Sequence, residues 1–546
     1  MHSIALAILL LSTIFPVPIP PDHTAIPSPA QTPPSYTLFL PDVQLSRPRL
    51  QIGLNEWVNV GEGIDYQQFV LPDPNHVYVA RMDRANPTAF LESALGSGDL
   101  IAGRETVSGM AQRYDGALNH WEDTWGGTNK VVVAINGDYF DPASGYPQNG
   151  MLQSGWYLKR YNDYEGWSGF AWLNDRSAFI GQCIVNPPEG QFVTFANAEK
   201  TFQINAINAP RQEGQLVLYT PQYANSTLTG GDGSEVLVEL NSPLHATPQG
   251  SRVDGVVTAV LANSGSTLIP YDSVVLSGQG SAGDELLANV HVGDVIGITQ
   301  EIGSFINDCK TPLPGDWSQV YAAIGGAFTF LVDGQPQHHD AEGAIVRHPR
   351  TAIAMNDQYI FFIVVDGRDQ GVSVGMTFDE LAIFAQEKLG ATWGIAQDGG
   401  GSSTMVINGQ VMNQPSDKCP VTSPYAVGNP PDQDLVQPTP SATSAVPLVS
   451  CERPVSNGML MVDYQPVELS QAFTPGSLVE TRFPTQVYLG PGTNYGVIET
   501  VPAGTSGEVL SDPHGLDGVK AKGMYWWKVT LPGATGWVAE EYLVAP

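Results

Sequence analysis

Positive charge is what this sequence has least of. Against 55 Asp and Glu stand only 24 Lys and Arg, a formal net charge of −31. Such a surface repels nucleic-acid phosphate and anionic lipid headgroups, which excludes both as general partners. Charged residues of either sign make up only 14% of the chain, while Gly (58) and Pro (43) are plentiful, and that balance argues against a helical bundle. Long apolar runs are missing too: after the first residues no stretch approaches the ~20 that a membrane helix needs. There is no P-loop lysine, no H-E-x-x-H and no EF-hand loop, and His338, His339 and His348 lack a zinc spacing. No nucleotide, redox cofactor or metal is therefore expected. The acidic surface leaves room only for a loosely bound divalent cation.

What is present suggests an exported, β-rich protein of two or three domains. Ile4 to Phe15 is one short apolar run of signal-peptide length, ended by Pro16, Pro18, Pro20 and Pro21. We read 1–25 as a signal peptide and 26–50 as a Pro-rich tether. The charged flank holds His2 and no Lys or Arg, which leaves an uncleaved anchor as the alternative. Four cysteines suit an oxidising compartment, and their three possible pairings stay open at this point.

Residues 51–464 read as one large unit. Apolar runs at Val77–Ala80, Lys130–Ile135, Leu216–Tyr219, Glu235–Leu240, Tyr359–Val365 and Trp393–Ala396 predict strands, and Asp333-Gly334 and Asn408-Gly409 predict turns. One helix is legible in detail. Thr377-Phe378-Asp379-Glu380 is a capping box, Phe378, Leu381, Phe384, Ala385 and Leu389 form an apolar stripe, and Gly390 is the stop. Strand, helix and strand then deliver the loop Asp398-Gly399-Gly400-Gly401-Ser402-Ser403-Thr404 to one end of a sheet. Three glycines can turn their N–H groups toward one point, as anion-binding nests do.

Around that loop stand other motifs in order. They are Arg104-Glu105-Thr106, Asn136-Gly137-Asp138-Tyr139-Phe140, Ile324-Gly325-Gly326, Arg350-Thr351-Ala352, Asp366-Gly367-Arg368 and Gly375-Met376-Thr377. Together they closely resemble the signature of the phosphodiester glycosidase family, over roughly Gly63 to Val462. The resemblance implies an α+β fold, a large mixed α/β catalytic domain rich in strands. It also implies a secreted hydrolase cleaving sugar-1-phosphodiesters, of N-acetylglucosamine or of a cell-surface glycan, at the anomeric C–O bond. Such chemistry needs an anion site, electrostatic stabilisation of an oxocarbenium-like transition state and a nearby carboxylate. Asp398, Asp366 and Glu105 are the candidate catalytic carboxylates. Arg350 is the candidate phosphate clamp, assisted by Gly399, Gly400, Gly401, Ser402 and Ser403, with Asn136, Asp138 and Arg368 as further binding candidates. A non-catalytic glycan-binding protein and a phosphodiesterase attacking phosphorus are the alternatives.

Where the family runs from an Asn-x-Pro-Ser-Asp element into Arg-Pro-Val, this chain inserts 420–450 between Asn413-Gln414-Pro415-Ser416-Asp417 and Arg453-Pro454-Val455. The insert is rich in Pro, has no Lys or Arg, and reads as disordered. Cys419 and Cys451 sit at its feet, so a disulfide there would staple it, leaving Cys183 to pair with Cys309. After a linker at 465–478, residues 479–546 carry Gly490-Pro491-Gly492, Trp526-Trp527 and Gly536-Trp537 and resemble bacterial SH3 domains, small all-β barrels. That resemblance implies a separable module for a cell-wall polymer, with an inert spacer as the alternative. The expected location is secreted or cell-surface, with no membrane span once the signal is cleaved.

Overall fold

The computed structural model describes residues 56–101, 103–161, 168–195, 200–304, 315–427 and 446–546. The signal peptide, the tether, Cys309 and most of the insert lie outside the described residues. The described residues are mostly β, 45% strand against 11% helix, roughly consistent with the expected strand-rich α+β fold but weighted further toward β. Nearly all strand pairings among the described residues are antiparallel, the short pair of Ala206–Ile207 with Leu216–Tyr219 being parallel.

The elements that build the site are, in chain order, β1 (Asn75–Asp83), β2 (Ala89–Leu95), α1 (Val107–Tyr114), β3 (Thr128–Asn136), β4 (Arg350–Met355), β5 (Tyr359–Val365), α2 (Phe378–Leu389), β6 (Trp393–Ala396), β7 (Met405–Ile407) and β8 (Asn457–Gln465). An eight-stranded sheet contains β1-β5-β4-β6 as consecutive neighbours. Both β5 and β6 run antiparallel to β4. They are therefore parallel to each other and need the α2 crossover to join them. Helix α2 has the capping box at Thr377 and Glu380 and a left-handed Gly390 (φ 65°). Its Phe378, Leu381, Phe384 and Ala385 pack on Val79, Ala352, Ala354, Phe361 and Ile363 of the sheet. Strand β4 is buried along its whole length, which is why Arg350-Thr351-Ala352-Ile353-Ala354-Met355 shows no polar–apolar alternation.

A second, five-stranded sheet carries β7-β3-β8-β2. The glycine loop is thus the chain's passage from β6 in one sheet to β7 in the other. The following hairpin turns on Asn408 (φ 49°) and Gly409 (φ 77°), the paired positive angles that an Asn-Gly turn supplies. A five-stranded sheet and another eight-stranded one complete the larger, N-terminal half, the latter packed on a helix at Ser281–Asn289.

The feet of the insert are ordered. Lys418–Pro420 pairs with Leu448–Ser450, and Cys419 is joined to Cys451. Residues read as a linker are also built in: Leu469 bridges Val519, and Phe473 packs on Trp527 of the barrel core.

Gln51–Pro546 forms one compact unit, so the barrel is docked rather than tethered. Lys522 donates from Nζ to the carbonyls of Gln112, Arg113 and Asp115 at 2.9, 3.1 and 2.5 Å, covering the C-terminal end of α1 where carbonyls lack helical partners. Tyr271 donates its hydroxyl to Asp512 at 3.1 Å, and its ring packs with Leu118, Leu516, Trp526 and Trp537 in one shared core. Truncation after Gln465 would expose Leu118, Trp125 and Tyr271. It should lower the melting temperature of the larger half and its soluble yield, measured by thermal denaturation and gel filtration. An unchanged melting temperature would mean that the barrel is a passive appendage.

Candidate active site

The register of the first sheet assembles the site. Arg350 stands opposite Val365 on one side, and Ala352 stands opposite Ala396 on the other. Continuing those ladders by one or two residues brings Asp366 and Asp398 to the same sheet end as Arg350. The glycine loop then crosses to the second sheet beneath Asn136, which is wholly buried. Asn136 donates from Nδ2 to the Asp398 carbonyl (2.6 Å) and accepts at Oδ1 from Thr351 (2.7 Å) and from the Thr404 amide (3.1 Å). Sequence reading placed it against substrate; its amide is instead occupied in holding three chain segments together.

Asp398 has both its carboxylate and its surroundings suited to chemistry. Ser402 donates to Oδ2 at 2.5 Å. Burial pushes its carboxyl up from the ordinary range, opposed by Ser402, by Arg453 and by Arg368. Arg368, in a left-handed conformation (φ 62°), is exposed, and its guanidinium lies over Gly400: a Cβ built there would meet Nη2 at 3.1 Å. A cavity of about 150 Å³ is lined by Arg368, Lys418, Gln414 and Ser416 and by the carboxylates of Asp366 and Asp369.

Other expected residues sit differently. The Arg350 fork is engaged from beneath: Nε donates to Met376 O and Nη2 to Val346 O, both at 2.7 Å, and its guanidinium lies 4.2 Å from the Phe378 ring. Burial lowers its pKa to about 10. Asp366 accepts from Asn413 Nδ2 (3.0 Å) and from the Gln414 amide (3.1 Å) and is bonded to Tyr78, so it anchors the 413–414 segment. Glu105 is held in a two-point pair with Arg113 at 2.9 and 3.0 Å and accepts from the Ser97 amide, facing α1 rather than the glycine loop. Asp138 is buried against the amides of Asn149 and Tyr139, both at 2.8 Å.

The glycine amides do not form one open nest. Gly400 donates to Pro349 O at 3.0 Å and Ser403 to Gly400 O at 3.3 Å. The third glycine has a packing reason: a Cβ on Gly401 would meet Asp417 Oδ1 at 2.1 Å and Arg453 Nη2 at 2.2 Å. Those two residues form a bidentate ion pair (2.8 and 3.0 Å), with Arg453 Nη1 3.5 Å from Ser402 Oγ. Sequence reading used Asp417 and Arg453 only as landmarks flanking the insert. The signal that could have found them is that same flanking position, because Cys419–Cys451 clamps the feet of the insert and so brings 417 beside 453. Tyr139 was also missed; it is close enough to both Asp398 and Arg350 to feel their charges.

The family-model matches support a glycosidase-type hydrolase domain followed by a small barrel. Residues 251–428 match the phosphodiester glycosidase family model and residues 485–544 the bacterial SH3 domain model, so the chain carries a phosphodiester glycosidase domain and a bacterial SH3 domain. The first match holds Arg350, Asp366, Arg368 and the glycine loop but not Glu105, Asn136, Asp138 or Arg453, and is narrower than the run of motifs suggests. No curated protein sequence matches the chain. Among solved structures, it resembles a hypothetical protein from Synechocystis at 16% identity and TM-score 0.46, covering 75% of this chain and 64% of that one. A protein from Burkholderia pseudomallei matches at 19% identity, TM-score 0.41, over 71% and 74% of the two chains. The catalytic domain of zebrafish N-acetylglucosamine-1-phosphodiester alpha-N-acetylglucosaminidase, auto-inhibited by its pro-peptide, matches at 14%, TM-score 0.32, over 75% and 86%.

Asp138 supplies a test of the electrostatics. Burial raises its pKa from 3.8 to about 6. The folded protein therefore keeps a proton that the unfolded chain releases across that window. Asp138 favours folding below the window and opposes it as pH rises through it. Asp138→Asn should flatten the fall in melting temperature between these two pH values; an unchanged slope would contradict the assignment.

Proposed function

We propose that the chain hydrolyses sugar-1-phosphodiesters at the anomeric C–O bond, outside the cell. The observation that carries this reading is that Arg368, which lines a cavity together with Lys418, lies over Gly400 of the loop that begins at the buried carboxylate of Asp398. Arg368 is the proposed contact for the phosphate, and Lys418 the second cation. Arg350 acts from below, as a buried positive charge that holds the Met376 and Val346 carbonyls in place. Asp398 is the proposed nucleophile or base at the anomeric carbon, oriented by Ser402 and kept ionisable by Arg453. A phosphodiester is a good leaving group compared with a sugar alkoxide, so no strong general acid is required at the departing oxygen. The substrate class is an N-acetylglucosamine-1-phosphodiester or a cell-surface glycan phosphodiester. Extracellular action is supported by the Cys419–Cys451 disulfide and the bacterial SH3 domain.

Hydrolysis in oxygen-18 water should place the label in the free sugar. Label in the released phosphate would mean attack at phosphorus and overturn the reading. Asp398→Asn should lower kcat by about a hundredfold or more, the usual scale for one transition-state electrostatic contact. Because burial raises the Asp398 pKa, the acid limb of the kcat/KM profile should lie above the ordinary carboxylate range. Arg368→Ala should lose activity on the phosphodiester. Wild-type rates from both variants would locate the chemistry elsewhere.

A further inference from the structure

A cavity of about 270 Å³ lies at the junction of the SH3 barrel and the glycosidase half. Tyr271, Trp125 and the cavity residues of the barrel loop, Asn494 and Tyr495, come from both halves, so neither half alone forms it. We propose that this cavity is a second carbohydrate site, taking one neutral pyranose ring of a glycan chain.

The lining carries the argument. Trp125 meets Tyr271 edge to face at 5.4 Å, and Tyr271 meets Tyr495 at 6.0 Å, giving a wall of rings. Such rings offer apolar faces to the C–H face of a sugar. The lining also holds side-chain amides, among them Gln222 and Asn494, the latter bonded to Tyr495, and amides pair with hydroxyl groups as donor and acceptor. Trp125 Nε1, Gln222 Oε1 and Asn494 Oδ1 are buried and have no hydrogen-bond partner among the described residues. Buried polar atoms without partners are costly, and a polyhydroxylated ligand or water supplies what they lack. The cavity falls just below the ~300–1,000 Å³ of drug-sized sites and suits one ring.

Charge selects a neutral sugar over an anionic one. Arg113 is the one Lys or Arg in the lining, and its guanidinium is held by both oxygens of Glu105. With a net charge of −31 on the chain, no cation is left to draw a phosphate or carboxylate in. Asn225 and Thr493 are exposed at the rim, which gives a chain end a route in from solvent. A glycan held here and at the glycine loop would gain from two-point attachment. The barrel would then contribute one wall of a composite site in place of a free-standing groove.

The test uses the full chain and the neutral probes chitotriose, maltotriose and xylotriose, titrated by calorimetry and by saturation-transfer NMR. At least one should bind saturably. Thr493→Trp, which fills the mouth from an exposed loop position, and Gln222→Ala, which removes one amide, should each weaken that binding roughly tenfold or more, the scale of one lost buried hydrogen bond. Cleavage of a small soluble phosphodiester by both variants should stay at the wild-type rate, which separates this site from the glycine loop. Binding to none of the three probes, binding that neither variant weakens, or displacement of the probe by inorganic phosphate would each overturn the proposal.

Discussion

The glycosidase half depends on one buried side chain that belongs to neither strand it joins. Where the chain leaves β6 for β7 it must cross from one sheet to another, and the crossing leaves backbone groups without ladder partners. Asn136, at the end of β3, answers for the Asp398 carbonyl and the Thr404 amide and takes the Thr351 hydroxyl as well. An amide is the side chain that can both donate and accept in one plane, and no aliphatic residue could replace it without leaving these buried groups unmet. Asp398 is placed as a consequence.

A second constraint acts through sterics. Gly401 lies under the Asp417–Arg453 ion pair, too close for a side chain, and Gly400, under Arg368, has a left-handed φ of 67°. Gly401 is therefore required by what sits on top of it and Gly400 by its backbone conformation. The insert contributes by closing on itself: its paired feet and the Cys419–Cys451 bond keep Asp417 beside Arg453 although 36 positions separate them. A long loop costs little extra closure entropy once its ends are fixed, so the excursion leaves the ion pair intact.

The barrel belongs to the same compact unit. Lys522 covers the C-terminal carbonyls of α1, while Glu452 accepts from Ser108 at the other end of that helix, next to Arg453. Helix α1 is thus bounded on one side by the barrel and on the other by the segment that supplies the ion pair. A contiguous run of contacts joins the barrel to the glycine loop.

Local chemistry determined a good deal here from sequence alone. The capping box, apolar stripe and Gly390 stop of α2, the Asn408-Gly409 turn, the bounds of β5 and β6 and the pairing of Cys419 with Cys451 were all legible. Each rests on residues close in sequence or, for the disulfide, at the feet of one loop. The motif order was legible as well, and with it the glycosidase and SH3 domains. Tertiary structure alone decided which of the motif residues face one another. Glu105 was equivalent to Asp398 as a letter in a motif, yet Arg113, one helical turn pair further along α1, holds it away from the loop. Arg350 was the expected phosphate clamp and Arg368 a lesser candidate, and strand register buries the first while the second is left exposed. The docking of the barrel was invisible too, because Tyr271, Trp125 and Lys522 carry no local pattern. Side-chain periodicity reports which face of an element is buried; it does not report what covers that face.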